Sequence, residues 1–145
     1  MAAPMKLPTR VRYAVRAIVE LAERGTERPV SIRAIADAQS ISPKYAKQLM
    51  NKLQRAGIVK GHAGIHGGYT LRRSPDEINL LEIYDALDVS VKLAPCIRSD
   101  SYCERSGACA AQLIWQRLSE ELTQILRNTS IGEMVAYQRS LRGRR

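Results

Sequence analysis

At 145 residues, 45% of them apolar, the chain is long enough to bury one real core and too apolar to be a disordered polymer. No run of about 18 apolar residues occurs, which excludes a helical membrane span, and residues 1–10 lack a signal peptide's apolar stretch, so a cytoplasmic protein is expected. The net charge of +9 is lopsided: residues 1–73 hold 14 Lys and Arg against 4 Asp and Glu, whereas residues 74–145 hold 9 against 10.

A basic half beside a near-neutral half suits a nucleic-acid partner. No basic amphipathic helix with aromatic anchors competes for a membrane surface. In chain order, Val11, Ala14, Val15, Ile18, Val19, Leu21 and Ala22 predict a first helix over residues 9–24, stopped by Gly25, with Arg10, Arg12 and Arg16 on or near its polar side. Ser31 is the N-cap expected for a second helix over 32–38. After a short turn, Ser42 caps a third helix over 43–56, with Pro43 at the first position, where a missing N–H costs nothing, and Gly57 as its stop. Its apolar stripe is Ala46, Leu49, Met50 and Leu53; its other face is basic and amide-rich. Helix, tight turn and helix of this kind form a helix-turn-helix.

Two short strands follow, 58–60 and 69–71, joined by a segment with four glycines in eight residues (61–68). Glycine there permits positive φ and close backbone approach, and a hairpin directly after a recognition helix is a wing. Asn79 and Glu82 form a capping-box pair for a fourth helix over 79–87. A loop opened by Pro95 comes next. From about Cys109 the pattern is helical again, with Leu113, Ile114, Trp115, Leu118, Leu122, Ile125 and Leu126 at spacings of three and four. Ser130 with Glu133 caps a short last helix, and 139–145 reads as a basic tail. Little core remains to receive the 113–126 stripe, so a matching helix of a second subunit is expected to cover it, as two-fold DNA operators also favour.

An α-helix fits the major groove with its N-terminal residues against base edges. Those residues are Ser42, Lys44, Tyr45, Lys47 and Gln48: Gln48 suits an adenine edge, and the lysines suit guanine acceptors or phosphates. The competing reading is a merely solvated helix face. His62 and His66, between the wing glycines, are candidates for phosphate or minor-groove contact, and Arg12 is the candidate from the first helix. Two histidines four apart in a hairpin do not share a face as they would on a helix, which weighs against a metal role.

The three cysteines of the chain, Cys96, Cys103 and Cys109, lie in one segment spaced C-x6-C-x5-C. An odd, clustered set in a reducing compartment points to metal or redox chemistry. Zinc sites favour closer pairs; iron–sulfur clusters accept looser thiolate loops. Unligated reactive thiols are the alternative. Nothing supports a metalloenzyme, since paired carboxylates, a nucleophile–base pair and a phosphate loop are all missing from the sequence.

These features together resemble the winged-helix transcriptional regulators of the IscR/NsrR type. The likeness rests on Arg12-Tyr13-Ala14-Val15-Arg16-Ala17, Ile41-Ser42-Pro43-Lys44-Tyr45-Ala46-Lys47-Gln48-Leu49, Gly67-Gly68-Tyr69-Thr70-Leu71 and the cysteine loop, across roughly residues 5–135. It implies a homodimer with crossed long helices, double-stranded promoter DNA as partner, and an iron–sulfur cluster (2Fe–2S ahead of 4Fe–4S) on Cys96, Cys103 and Cys109. The chain departs from the pattern in places. Its first cysteine gap is six residues, where IscR-like members commonly have five. Gln112 stands where IscR-like members have a histidine ligand, Arg12 where NsrR-like members have an acidic one, and Lys47 where IscR-like members have an acid. Glu104, Gln112, a residue of the other subunit and an exogenous molecule stay open as the fourth ligand. The expected fold is mainly α with a small β-hairpin: a winged helix-turn-helix domain over 1–88, a cysteine-rich cluster-binding loop over 89–111, and a dimerisation helix with a basic tail over 112–145. The expected function is a dimeric DNA-binding repressor controlled by the cluster, which senses cluster supply, redox state or nitric oxide; the alternative is a metal-free thiol-based redox regulator of the same fold.

Overall fold

The computed structural model describes residues 2–3, 5–24 and 27–144. The stop assigned to Gly25 and the tail residue Arg145 lie outside them. Six α-helices and one hairpin follow the expected order: α1 (Thr9–Arg24), α2 (Ile32–Gln39), α3 (Pro43–Arg55), β1 (Val59–His62), β2 (Gly68–Leu71), α4 (Leu80–Ala86), α5 (Ala110–Asn128) and α6 (Ile131–Arg142). Short 3-10 turns at Pro75–Glu77 and Pro95–Ile97 lead into α4 and open the cysteine loop.

Local chemistry sets the boundaries. The hydroxyls of Ser31 and Ser42 accept the Ala34 and Tyr45 N–H groups, each at 3.1 Å, which satisfies helix donors that have no intrahelical partner. The third helix ends one residue earlier than expected. Gly57 takes φ +73°, its N–H reaches Gln54 O, and the Ile58 N–H reaches Leu53 O, so a paired C-terminal motif closes the helix. Asn79 and Glu82 exchange backbone and side-chain bonds at 3.1 and 3.2 Å, the predicted capping box.

α1 lies at the centre, packed by α2, α3, α4, β2 and α6. Ile18, Leu21, Ile35, Met50, Leu53, Ile58, Ile83 and Leu87 are fully buried around it, each stabilising the fold by about 1.5–3 kcal/mol through removal from water. The chain's C-terminal part returns to this same core. Leu80 N–H donates to Thr129 O (3.0 Å) and Ile131 N–H to Ile78 O (2.8 Å), and Ile131 and Val135 are buried against the winged-helix core. The expected tail is therefore helical as far as Arg142, because α6 has a buried face to form against.

Candidate nucleic-acid interface and thiol loop

α3 presents Lys44, Lys47, Gln48 and Asn51 to solvent, while Ala46, Leu49, Met50 and Leu53 fix its inner face. Ser42 is spent on the cap, with its residue still exposed at the helix N-terminus. Tyr45 is half-buried, its ring edge-on to Tyr13 with centroids 6.1 Å apart, so its aromatic body braces α3 on α1.

The hairpin pairs Val59 with Leu71, Lys60 with Thr70, Gly61 with Tyr69 and His62 with Gly68. Val30 extends it by a bridge: Tyr69 N–H donates to Val30 O and Val30 N–H to Tyr69 O, both at 2.9 Å. Gly68 permits this approach, since a Cβ there would sit 2.2 Å from Val30 O. Lys47 Nζ donates to the Tyr69 hydroxyl at 2.9 Å and lies 5.4 Å from the centre of its ring. His62 Nε2 is bonded to Thr70 Oγ1 at 2.9 Å. Lys47 and His62 thus line one groove between recognition helix and wing, together with Gln54 and Ser31. His66 is exposed at the wing tip, facing a second groove with Arg24 and Arg28.

Arg12 falls elsewhere. With Leu7, Val11, Tyr13, Arg16, Leu80, Tyr84 and Met134 it lines an apolar groove of about 350 Å³ between α1, α4 and α6. Burial raises the Tyr84 hydroxyl pKa above its ordinary value. Of the sequence candidates, the structure gathers those on α3 and the wing and sets Arg12 apart. Arg24 and Arg28, beside His66, and Tyr69, bonded to Lys47, join these groups only through contacts between distant segments, which leave no local signal.

The thiols sit on the loop between α4 and α5. Cys96 and Cys109 are partly exposed, Cys103 is exposed, and Cys109 is the N-cap residue of α5. Among the described residues no three His, Cys, Asp or Glu side chains converge enough to hold a metal ion. Gln112 instead laces the loop: Nε2 donates to Cys96 O at 2.8 Å, and Oε1 accepts from the Gly107 N–H at 3.0 Å. Its amide is therefore engaged by backbone. Three soft sulfur donors, on a 3-10 turn, a loop and a helix N-cap, suit an iron–sulfur group by donor chemistry, and loading would require the segment to draw those sulfurs together.

The outer face of α5 exposes Leu113, Ile114, Trp115, Leu118 and Ile125, between 42% and 67% each. No helix of the described residues is long and apolar enough to cross a membrane, so the stripe is not a span.

Residues 7–137 match the family model of Rrf2, described as an iron-dependent transcriptional regulator. The chain is 36% identical over 131 residues to the HTH-type transcriptional regulator IscR of Aliivibrio salmonicida, covering 90% of this chain and 77% of that one. It is 32% identical to Protein rrf2 of Nitratidesulfovibrio vulgaris, covering 90% and 87%. Among solved structures, the global cysteine regulator CymR of B. subtilis superposes with a TM-score of 0.77 at 28% identity (92% and 98% covered), and T. potens IscR with 0.75 at 28% (92% and 88% covered). The chain is thus a DNA-binding transcription regulator, not an enzyme, and it belongs to the Rrf2 family.

Proposed function

We propose that this regulator is a homodimeric repressor whose operator binding is controlled by an iron–sulfur cluster held by Cys96, Cys103 and Cys109. The observation that carries the reading is the position of the thiol loop. It leaves the winged-helix core at Asp88 and enters the exposed apolar helix α5 at Cys109, so its shape bears on both DNA-reading and assembly elements. Ser42, Lys44, Tyr45, Lys47 and Gln48 form the major-groove surface, with His62 and His66 on the flanking wing; the IscR-named relatives and the family description support the cluster. A cluster with three cysteine ligands takes its fourth ligand from outside this set, and a 2Fe–2S or 4Fe–4S form is compatible with that. When bound, the group supplies a redox-labile, nitric-oxide-sensitive link among the three sulfurs. The protein's part is to present those sulfurs and to pass the loop's shape on to α5. Such a protein works in the cytoplasm.

A metal-free thiol switch is the second reading. It is favoured by the engagement of Gln112 with backbone and by the absence of a converged donor set among the described residues. A structural neighbour, CymR of Staphylococcus aureus, has a crystal structure in an oxidized form. Anaerobic purification with iron and sulfide analysis separates the two. Stoichiometric iron and sulfide, lost together with regulated DNA binding in a Cys96/Cys103/Cys109→Ser variant, supports the cluster. An iron-free protein whose DNA affinity responds to a thiol oxidant overturns it in favour of the switch.

A further inference from the structure

The wing ends in a residue that its own turn does not call for. Gly64, Ile65, His66 and Gly67 form a tight turn closed by the Gly67 N–H on Gly64 O at 3.0 Å. Corners of such turns favour Gly, Pro, Asn, Asp and Ser, each for a backbone reason that isoleucine does not meet. Yet Ile65 stands there 99% exposed, more than any other large apolar side chain described. A single exposed apolar residue ordinarily needs no explanation. The hairpin that carries this one is fixed at its base: Tyr69 is bonded to Val30 on one side and to Lys47 of α3 on the other, which sets the wing against the recognition helix. Around it stand Arg24, Arg28 and His66 on one flank and Lys47 and His62 on the other. An apolar point ringed by phosphate-seeking groups is complementary to a groove in a polyanion, not to an apolar protein surface.

We propose that Ile65 is a minor-groove wedge that inserts at a base step and bends the operator. The inference rests on the reading of α3 as the major-groove element. With α3 in the major groove, the attached wing meets the adjoining minor groove, which at about 6 Å wide excludes a helix but admits a hairpin tip. Proteins that enter there often push Ile, Leu, Met or Phe between base pairs and kink the duplex by about 20–90°. Pyrimidine–purine steps unstack most easily. Ile65 therefore selects a TA or TG step beside each half-site, a specificity that comes from deformability and not from hydrogen bonds.

The test uses the full chain and a duplex of about 30 base pairs selected by that protein from a randomised pool, end-labelled for energy transfer and carrying 2-aminopurine at the flanking step. The wild-type protein is expected to shorten the end-to-end distance and raise 2-aminopurine fluorescence. Ile65→Ala is expected to weaken binding roughly 10-fold, on the scale of losing one buried isoleucine, and to remove at least half of the bend. Ile65→Met keeps both. An unbent wild-type complex, or an Ile65→Ala complex bent like the wild type, overturns the wedge. If Lys44→Ala and Gln48→Ala still weaken binding in that case, the α3 reading stands alone; if they too have no effect, it falls with the wedge.

Discussion

The outer face of α5 makes a sharp claim about assembly. Ala111, Ile114, Leu118 and Ile125 recur at gaps of three, four and seven residues, the repeat of a helix–helix seam, and Leu118 lies mid-stripe with 45% of its surface open. Burying a whole leucine is worth about 1.5–3 kcal/mol, so covering this remaining part contributes on the order of 1 kcal/mol per protomer. A two-fold interface uses the same patch twice, which gives about 2 kcal/mol and roughly a 30-fold change in dimer Kd when Leu118 is lost. Leu118→Glu should exceed that figure, because the new carboxylate is desolvated and lies one turn from Glu121 on its own helix. Sedimentation equilibrium over a concentration series measures the shift, and circular dichroism establishes that the variant is folded. Binding to a palindromic duplex should fall while binding to a single half-site persists. A Leu118→Glu protein that dimerises as tightly as the wild type would refute the assignment of this face.

Other perturbations probe separate parts of the argument. Lys44→Ala should weaken DNA binding similarly on all sequences and reduce the salt-dependence slope by about 1, whereas Gln48→Ala should cost about 1–3 kcal/mol and relax preference at one base pair; fluorescence anisotropy across salts and operator variants measures both. Ile131→Ala should destabilise the fold by about 2–5 kcal/mol in urea unfolding, since the side chain is fully buried where α6 meets the winged-helix core; a loss below 1 kcal/mol would mean that α6 is not part of that core. The Asp88 carboxyl is held below its ordinary pKa by the hydrogen bond from Lys52 and then by that residue's charge. A depressed folded-state value means that its stabilisation is present above the unfolded-state pKa and fades as pH falls through the folded one. Lys52→Ala should raise the Asp88 midpoint in a carboxyl-detected NMR titration, and an unmoved midpoint would contradict the pairing.

Short-range signals made much of the molecule legible. The Ser42–Pro43 start of α3, the Asn79–Glu82 box and the apolar spacing of α1 act within a turn or two of helix, and the structure contains each. Features joining distant segments were not legible. Nothing near Tyr69 announces that it binds Lys47, and nothing near Gln112 announces that its amide ties Cys96 to Gly107. The 113–126 pattern carried two meanings at once. Its outer residues stay exposed, but Leu126 is buried, Leu122 is partly buried, and the helix leads into α6, which completes the core of α1. Helical periodicity reports how many apolar residues face one way, not which partner covers each of them.

The joint between the two halves is held by apolar burial and by two exposed polar ties. Asp88 adopts a left-handed backbone conformation at φ +55°. Its carbonyl accepts from Arg10 of α1 at 3.2 Å, and its carboxylate pairs with Lys52 of α3 at 2.6 Å. Leu87 and Val89 on either side are buried, so the chain passes this point in one fixed orientation. The two polar ties are exposed, so solvent screening leaves them little weight. The left-handed conformation opposes them, being unfavourable for a residue with a Cβ although milder for aspartate than for most. The residue that connects the thiol loop to the recognition helix is thus anchored in position by apolar burial but only weakly in polar contacts. A loop signal of the few kcal/mol usual in allosteric coupling can therefore break the polar ties to α1 and α3 while the buried Leu87 and Val89 keep the joint in place.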